Sequence, residues 1–310
     1  MTITAAQVKD LRERTGAGMM DAKNALVEAD GDMEKAIEVL RQKGLATAAK
    51  KSGRTAAEGQ VSAAVTPDAQ TGVLVETNCE TDFVAKGEAF SELVGQLTEQ
   101  ALSDGGDGLE SLLNKPATAM PSVSVREFIT EKIGQIKENM SLRRITHYCV
   151  NGTGSVAKYI HTGGKIGVLT EFAYTNAATK GHDAFAQLSK DVCMQIASFG
   201  AEFVSMAEIP QSIIDEETRV EMGKEDLQNK PEAIRENIVK GRVQKQLAAK
   251  VLVEQPFVKD PGQTIQAVLD AVSQQVNDTI TVKRFTRYTL GDGIEKETTD
   301  FAAEVMAQLR

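Results

Sequence analysis

The sequence predicts an α+β protein in which helical segments flank a duplicated core of antiparallel sheets. The first 45 residues contain three short stretches with apolar residues at helical spacing. Two later stretches, 59–78 and 154–173, can be superposed without a gap, and both alternate β-forming residues around a Gly- or Pro-containing turn. Each is therefore predicted to be a β-hairpin. An apolar stripe near the carboxyl end predicts a last helix within residues 291–310.

Residues 1–55 are predicted to form a helical module that ends in a basic, small-residue linker. Val8 and Leu11 mark the apolar face of a first helix, which stops at Gly16. A second helix begins near Met19, and a third follows the turn at 29–32. Because small residues occupy the contact positions, we expect a compact three-helix bundle of a kind that often docks on partners.

The two hairpin stretches predict an internal duplication. Six positions are identical at an offset of 95: Gly59/Gly154, Val61/Val156, Gly72/Gly167, Val73/Val168, Leu74/Leu169 and Glu76/Glu171. The same offset aligns the apolar stripe of the helix that follows each hairpin. We therefore expect two related α+β subdomains, each a hairpin sheet covered by helices, at 56–145 and at 146–210 with 251–290.

Residues 211–250 interrupt the second subdomain and are highly charged. Ile213, Val220 and Leu227 recur every seven residues, and a narrow apolar seam continues after Pro231. This pattern predicts an inserted antiparallel helical hairpin of coiled-coil type. It would serve as an interaction arm or a homodimerisation element, or would fold back on the body.

Composition and charge argue against several classes of protein. The net charge of -9 and a pI near 5.1 do not suit a general nucleic-acid binder, which needs a basic footprint. The three cysteines are widely spaced and form no CxxC motif, so neither a disulfide framework nor a metal site is predicted. No signal peptide or membrane-spanning run is present, so we expect a cytoplasmic protein that does not bind membranes.

The sequence offers little catalytic chemistry. The stretch GGKIGV at 163–168 is not a phosphate-binding loop, because Ile166 follows the lysine where Ser or Thr would bind magnesium. It is predicted to be a turn followed by a strand. The three histidines show no ligand spacing, although His161, in a predicted exposed turn, could be a contact. We expect no enzyme activity, no cofactor and no direct nucleotide binding.

The stretch Thr81-Asp82-Phe83-Val84, called the tetrad below, places a charged and a large aromatic residue just before a predicted helix. One interpretation is an Asp helix cap beside a core Phe. The other is a probe that enters a partner protein. At the offset of 95, Asp-Phe falls opposite Ala177-Ala178. A duplicated scaffold does not require Asp-Phe at this junction, and this favours the probe.

Five stretches resemble the bacterial translation elongation factor Ts family: TGAGMMDAKNAL (15–26), TDFVAK (81–86), IGQIKENMSLRR (133–144), IGVL (166–169) and GIEKETTDFAAEV (293–305). The resemblance covers essentially the whole chain in order. It implies a ubiquitin-associated-like (UBA-like) N-terminal bundle, a two-part core, an inserted coiled-coil hairpin and a C-terminal helix. It also implies guanine-nucleotide exchange on elongation factor Tu. One departure is Phe199-Gly200-Ala201, where the family commonly has Pro before Phe or Tyr.

The resemblance further implies roles for individual residues. The tetrad would disturb the magnesium site of the partner and so promote GDP release. Six residues match positions that family members place against the partner: Met19, Met20, Lys23, Ile133, Gly134 and His161. No catalytic or metal-binding residue is implied. A non-catalytic adaptor or nascent-chain-binding protein, and an enzyme of unrecognised type, remain the alternatives.

Overall fold

The computed structural model describes residues 3–228 and 230–295. Residues 296–310, which contain most of the segment in which the last helix is predicted, therefore lie outside the described residues. The tripeptide Thr-Asp-Phe of the tetrad occurs a second time among them, at 299–301. Within the described ranges, no helix combines the length and the hydrophobicity that crossing a bilayer requires.

The three predicted N-terminal helices are present: α1 (Ala5–Thr15), α2 (Met19–Glu28) and α3 (Met33–Lys51). Thr4 starts α1 with a capping box, in which its side chain accepts from the Gln7 N–H and the Gln7 side chain accepts from the Thr4 N–H. Gly16 ends α1 at φ 65°, a left-handed conformation that glycine adopts without strain. Small and aliphatic residues fill the bundle interior: Val8, Leu11, Ala17, Ala22, Ala25, Leu26, Ala29 and Ala36.

The N subdomain comprises β1 (Glu58–Val65), β2 (Thr71–Cys79), α4 (Asp82–Ala85), α5 (Glu88–Ser103), α6 (Leu109–Asn114), β3 (Pro116–Ala117), β4 (Met120–Ser124), α7 (Val125–Ile136) and β5 (Met140–Cys149). Its main sheet is antiparallel with the order β1-β2-β5, and β3 pairs with β4. One face of the sheet packs on α5 and α7, where Phe90, Leu93 and Phe128 contribute to the core.

The second half of the chain contains β6 (Gly154–Ile160), β7 (Ile166–Ala173), α8 (Asp183–Phe199), α9 (Gln211–Met222), α10 (Glu232–Lys250), β8 (Pro256–Phe257), β9 (Asp260–Thr264), α11 (Ile265–Val276) and β10 (Thr281–Thr289). All of these except α9 and α10 form the C subdomain, whose antiparallel sheet has the order β10-β7-β6. Gly200 ends α8 in a left-handed conformation, φ 61°, which glycine adopts without strain.

The two subdomains follow the same path. Each runs from a hairpin to a helix, then through a pair of very short strands to a second helix, and finally to a strand that pairs with the second strand of the hairpin. The first part of this path repeats at the offset of 95. The later part repeats at 140, as Pro116/Pro256 and Tyr148/Tyr288 show. The helices α9 and α10 account for the difference, because they are inserted in the second copy only.

The inserted helices form an arm (residues 211–250) with a small apolar core, which Ile209 and Val251 complete at its base. Leu227, Val239 and Val243 are buried in it. The predicted seven-residue seam is wrong in part, since Val220 and Ile234 are exposed. The contact runs instead through Ile214 and Met222 of α9 and through Val239 and Val243 of α10. Leu227 lies in a separate 3₁₀ turn, Glu225–Leu227, so no single heptad repeat connects the predicted positions.

The two sheets contact each other around two glycines that are equivalent in the duplication. A Cβ atom on Gly72 would lie 2.6 Å from Val156 Cγ1, and one on Gly167 would lie 2.5 Å from Val61 Cγ1. Hydrogen bonds cross the same contact, since Val61 N–H donates to the Gly164 carbonyl at 2.7 Å. The absence of side chains at these glycines therefore sets how closely the subdomains approach.

Buried charge flanks this contact in both copies. The Glu76 carboxylate is fully buried and accepts from Arg143 (3.0 Å), from Arg144 (2.5 Å) and from the Gly291 N–H (2.9 Å). Burial alone would raise the Glu76 pKa, but the hydrogen bonds from Gly291 and the two arginines outweigh it, so the pKa lies below its ordinary value. Glu171 is held equivalently by Lys283 (3.0 Å) and Arg284 (2.6 Å).

The same arginines join the two subdomains. The Arg144 guanidinium lies 4.1 Å from the ring centre of Tyr288, and Arg284 lies 4.1 Å from that of Tyr148. Each is close enough for a cation–π interaction. Each cationic group therefore pairs with a carboxylate of its own subdomain and with an aromatic ring of the other.

Replacing Gly167 by Ala should destabilise the protein. The added methyl group would also lie 2.9 Å from Leu74 Cδ1, and overpacking of this kind costs about 1–3 kcal/mol. Urea unfolding should show a lowered midpoint, and the additional change Val61→Ala should restore part of the loss.

Gly95→Ala is the matched control for this prediction. Gly95 lies exposed on α5, and no atom lies within 4 Å of an added Cβ. Alanine there should stabilise the helix by about 0.5–1 kcal/mol. An unchanged unfolding midpoint for Gly167→Ala would contradict the close approach of the two sheets.

Candidate partner-binding surface

The tetrad forms the start of the four-residue helix α4, directly after the central strand β2. Thr81 is the N-cap, and its side-chain oxygen accepts from the Val84 N–H at 3.2 Å. The aromatic ring that follows is in solvent, since Phe83 is 86% exposed. The interpretation of Asp82-Phe83 as a cap beside a core residue is therefore wrong on both counts.

Asp82 forms an ion pair on the surface. Its carboxylate lies 2.7 Å from Lys86 Nζ, one helical turn later. The hydrogen bond and the charge of Lys86 hold the pKa of Asp82 below its ordinary value, so the carboxylate is ionised at neutral pH. The tip of α4 thus presents a charged group and an aromatic ring side by side.

The inner face of α4 is anchored. Ala85 is buried, and the half-buried Val84 packs on the core of the N subdomain. The Cys79 thiol donates to the Thr81 carbonyl (3.2 Å), and burial raises the pKa of this thiol to about 12, so it remains protonated. Phe83 therefore projects from a fixed support.

The second copy builds the same junction without Asp and Phe. Asn176 stands at the position of Thr81, and its side chain accepts from the Ala178 N–H at 3.0 Å. A 3₁₀ helix, Ala177–Gly181, then leads into α8. Because the scaffold caps its helix equally well here, the Asp-Phe pair is not explained by the needs of the fold.

The predicted docking residues of the bundle lie in the first turns of α2. Met19 is 53% exposed and Met20 is 63% exposed, and Lys23 is exposed beside them. Met19 and Lys23 also line a shallow cleft against the face of α1 that contains Val8. Methionine side chains are flexible and polarisable, which suits a surface that adapts to a partner.

Ile133 and Gly134 make contacts within the molecule. Ile133 is buried in the core of the N subdomain. Gly134 faces Gly44 of α3, and a Cβ on Gly134 would lie only 2.8 Å from the Gly44 Cα. The Gln135 side chain extends this contact by donating to the Thr15 carbonyl at 2.6 Å. Gly134 and Gln135 hold the bundle on the N subdomain, and Gly44, a glycine inside α3, is the one sequence signal that could have indicated this contact.

Two consecutive residues connect the bundle to the tetrad. Lys137 Nζ lies 3.2 Å from a carboxylate oxygen of Asp21 in α2. The next residue, Glu138, accepts from the Thr81 hydroxyl at 2.7 Å. The amino-terminal end of α2 and the tetrad are therefore tied to the same short connection between α7 and β5. Sequence reasoning missed Glu138, since nothing in its local pattern marks it.

His161 lies in the exposed turn between β6 and β7. Its ring Nδ1 is 3.1 Å from the Tyr159 hydroxyl. The following residues, Gly163 to Lys165, line a cleft together with Asp82 and Lys86 of α4. The turn that contains His161 thus adjoins the tetrad. As predicted, GGKIGV forms a turn and the start of a strand.

The described residues hold no cluster of three or more His, Cys, Asp or Glu side chains that could bind a metal ion. The exposed groups described above define the candidate surface. It consists of the exposed Phe83 and Asp82, the cleft next to the His161 turn, and the Met19 and Met20 side chains on the bundle.

Comparison with known proteins points to one family. The family model described as "Elongation factor TS" matches residues 80–292. Relatives named elongation factor Ts include proteins of Nostoc sp. (44% identical over 309 residues), Trichlorobacter lovleyi (44% over 307) and Clostridium botulinum (45% over 307). Each alignment covers 99% of this chain and 98% of the relative. The alignments with these relatives therefore include the sequence of the N-terminal bundle, which lies outside the residues matched by the family model.

Substitution of Gly134 should separate the bundle from the N subdomain, whereas substitution of Gly44 should not. In Gly134→Ala the new methyl group meets the backbone of α3, so we expect a loss of about 1–3 kcal/mol and faster amide exchange in α3. In Gly44→Ala the nearest atom of α7 lies at an ordinary 3.9 Å. Equal unfolding midpoints for the two variants would contradict this contact geometry.

Proposed function

This chain belongs to the elongation factor Ts family, and we propose that it promotes the release of GDP from elongation factor Tu during translation elongation. In this proposal it acts on a GTPase partner in the cytoplasm, without a cofactor and without binding nucleotide or nucleic acid itself. It is an exchange factor and not an enzyme, so no residue is assigned a catalytic role.

One observation supports the proposal most directly: Phe83 is 86% exposed on an anchored helix. Moving a Phe side chain from water into an apolar pocket contributes about 1.5–3 kcal/mol. The isolated chain does not gain this contribution at position 83, because the ring is in solvent. The second copy has alanine, Ala178, at the equivalent position. The exposure of Phe83 is explained if its ring enters an apolar pocket on a partner.

The tetrad would act through thermodynamic reciprocity. GTPases of this kind hold GDP with a phosphate loop and a bridging magnesium ion. A protein that binds best when these contacts are displaced weakens GDP binding by the factor by which GDP weakens its own binding. We propose that Phe83 and the ionised Asp82 enter near the magnesium and phosphate site and stabilise the displaced arrangement.

The insertion of one Phe cannot account for a large exchange effect. Its contribution of about 1.5–3 kcal/mol shifts an equilibrium by about one to two powers of ten. The wider surface must supply the rest. We propose that Met19, Met20, Lys23 and His161 contact the partner directly, since they are exposed or lie beside the tetrad.

Ile133 and Gly134 need a different proposal. Because they pack within the molecule, direct contact with a partner would first require α3 to move. We propose that they contribute chiefly by fixing the bundle, and with it Met19 and Met20, relative to the tetrad. We also propose that the N-terminal bundle is of UBA-like type and that the core is divided into two subdomains.

A non-catalytic adaptor or nascent-chain-binding protein is the second candidate. The exposed Met19, Met20 and Val27 on the bundle favour it, because small helical modules with apolar surface bind peptides. Capture of partners from cytoplasm separates the two. Stoichiometric recovery of one GTPase supports exchange, and a mixture of client chains supports the adaptor.

Replacing both Asp82 and Phe83 by Ala should slow GDP release strongly while leaving the fold intact. Both side chains are exposed, so we expect a stability change within about 0.5 kcal/mol. At saturating factor, the release of fluorescent GDP from elongation factor Tu should slow about tenfold or more, since the inserted ring is lost. Thermal unfolding and stopped-flow fluorescence measure the two effects.

Phe199→Ala is the matched control, because it removes another exposed aromatic ring, 52% exposed, from the C subdomain. It should leave GDP release unchanged. The double variant could instead have a lowered melting temperature and, when folded, promote GDP release at the wild-type rate. In that case Asp82 and Phe83 would serve the stability of the fold and not the exchange. If the wild-type protein has no effect on GDP release, the proposed exchange function is wrong.

Removal of the arm should leave exchange largely intact. Most of the arm packs on itself and only its base contacts Ile209 and Val251, so residues 211–248 can be replaced by a short Gly/Ser linker. We expect GDP release within about threefold of wild type, because the tetrad and the bundle are untouched. Since Val220 and Ile234 are exposed on the arm, its removal should also weaken self-association, measured by sedimentation. A folded deletion as inactive as the tetrad variant would contradict this.

A further inference from the structure

Two segments of the N subdomain hold each other by reciprocal hydrogen bonds directly beneath the tetrad. The Glu138 carboxylate accepts from the backbone N–H groups of Glu80 (3.2 Å) and Thr81 (3.0 Å), and from the Thr81 hydroxyl (2.7 Å). In return, the Glu80 carboxylate accepts from the Asn139 N–H (2.6 Å). These four residues, Glu80, Thr81, Glu138 and Asn139, are called the clasp below.

The clasp sets the direction in which α4 leaves the sheet. Lys137 ends α7 in a left-handed conformation, φ 67°, and thereby turns Glu138 back toward the end of β2. Glu138 then fixes Thr81 from two sides, backbone and side chain. Since Thr81 is the N-cap of α4 and Phe83 follows two residues later, the position of the aromatic ring depends on the Glu138 carboxylate.

The C subdomain contains the same arrangement without an aromatic residue to orient. Asn277 ends α11 at φ 53°, and the next residue, Asp278, accepts from the N–H groups of Thr175 (3.0 Å) and Asn176 (3.0 Å). Partial burial would raise the pKa of Asp278, but hydrogen bonds from Thr175 and its neighbours hold it well below its ordinary value. A carboxylate after a left-handed residue is thus a device of the fold, used twice.

We infer that Glu138 is a positioning residue for nucleotide exchange: it holds α4 in the one orientation from which Phe83 can enter the GTPase. This inference rests on the proposed function. In it, Glu138 does not touch the partner's nucleotide site and acts only through Thr81 and α4. Its loss should therefore matter for exchange only while Asp82 and Phe83 are present.

The test compares Glu138→Ala with Glu138→Gln. Alanine removes all three contacts, whereas the glutamine oxygen can still accept from the two backbone N–H groups and its amide can donate to Thr81 Oγ1. We expect alanine to slow fluorescent GDP release about tenfold at saturating factor, and glutamine to remain within about threefold of wild type. Hydrogen exchange at residues 81–86 should accelerate in the alanine variant only.

Coupling to the tetrad provides the readout that a general loss of stability would not give. In a chain that already carries Ala at 82 and 83, Glu138→Ala should slow release by less than about twofold further, because no ring remains to be positioned. Asp278→Ala is the matched control. It removes the equivalent carboxylate and should lower the melting temperature, yet the folded protein should release GDP at the wild-type rate.

Three results would overturn the inference. The first is that Glu138→Ala slows GDP release equally in the wild-type chain and in the chain with Ala at 82 and 83. The second is that Asp278→Ala slows GDP release as much as Glu138→Ala does. The third is that hydrogen exchange at residues 81–86 is unchanged in Glu138→Ala. If the wild-type protein does not accelerate GDP release, the proposed function fails. The hydrogen-exchange comparison then still decides whether Glu138 holds α4, so the two failures are distinguishable.

Discussion

The close approach of the two sheets at Gly72 and Gly167 is the constraint on which the rest of the core depends. Each glycine makes room for a valine of the other subdomain. With the sheets this close, Glu76 and Glu171 are buried, and each requires cationic partners because an unpaired buried carboxylate is very costly. Those partners, Arg144 and Arg284 among them, then reach the tyrosines across the contact. Small residues, buried charge and aromatic rings therefore form one interdependent set.

The same duplication that builds the core also separates what serves the fold from what serves contact with a partner. At the end of β2 and at the end of β7, a carboxylate and a helix-capping side chain recur in equivalent places. Of these two junctions, only the one after β2 carries an Asp-Phe pair. An internal repeat thus works as a comparison within a single chain, since features shared by both copies meet structural needs.

Local sequence patterns predicted the helices and hairpins well. They predicted much less of the packing between segments that are distant in sequence. The hairpins followed from alternation and from the identical positions at one offset, and the tetrad stood out because its counterpart is Ala-Ala. The later half of the repeat was missed, because the inserted arm shifts its offset to 140. The contact of Gly134 with Gly44 and the role of Glu138 were also missed, since both depend on segments that lie far apart in sequence. The heptad pattern failed in part because a 3₁₀ turn separates Val220 from Leu227, and a sequence repeat does not reveal such a break.

The base of the arm has a consequence for how freely this family can vary in length. Phe203 and Val251 form a parallel bridge, and the Glu202 N–H donates to the Lys250 carbonyl at 2.9 Å, so the two ends of the insertion meet at the core. The cost of closing a loop rises only with the logarithm of its length. Once the ends are joined, the entropy of loop closure depends little on the length of the segment between them. The base of the arm is therefore the place where insertions, truncations or a fused reporter domain would be tolerated best.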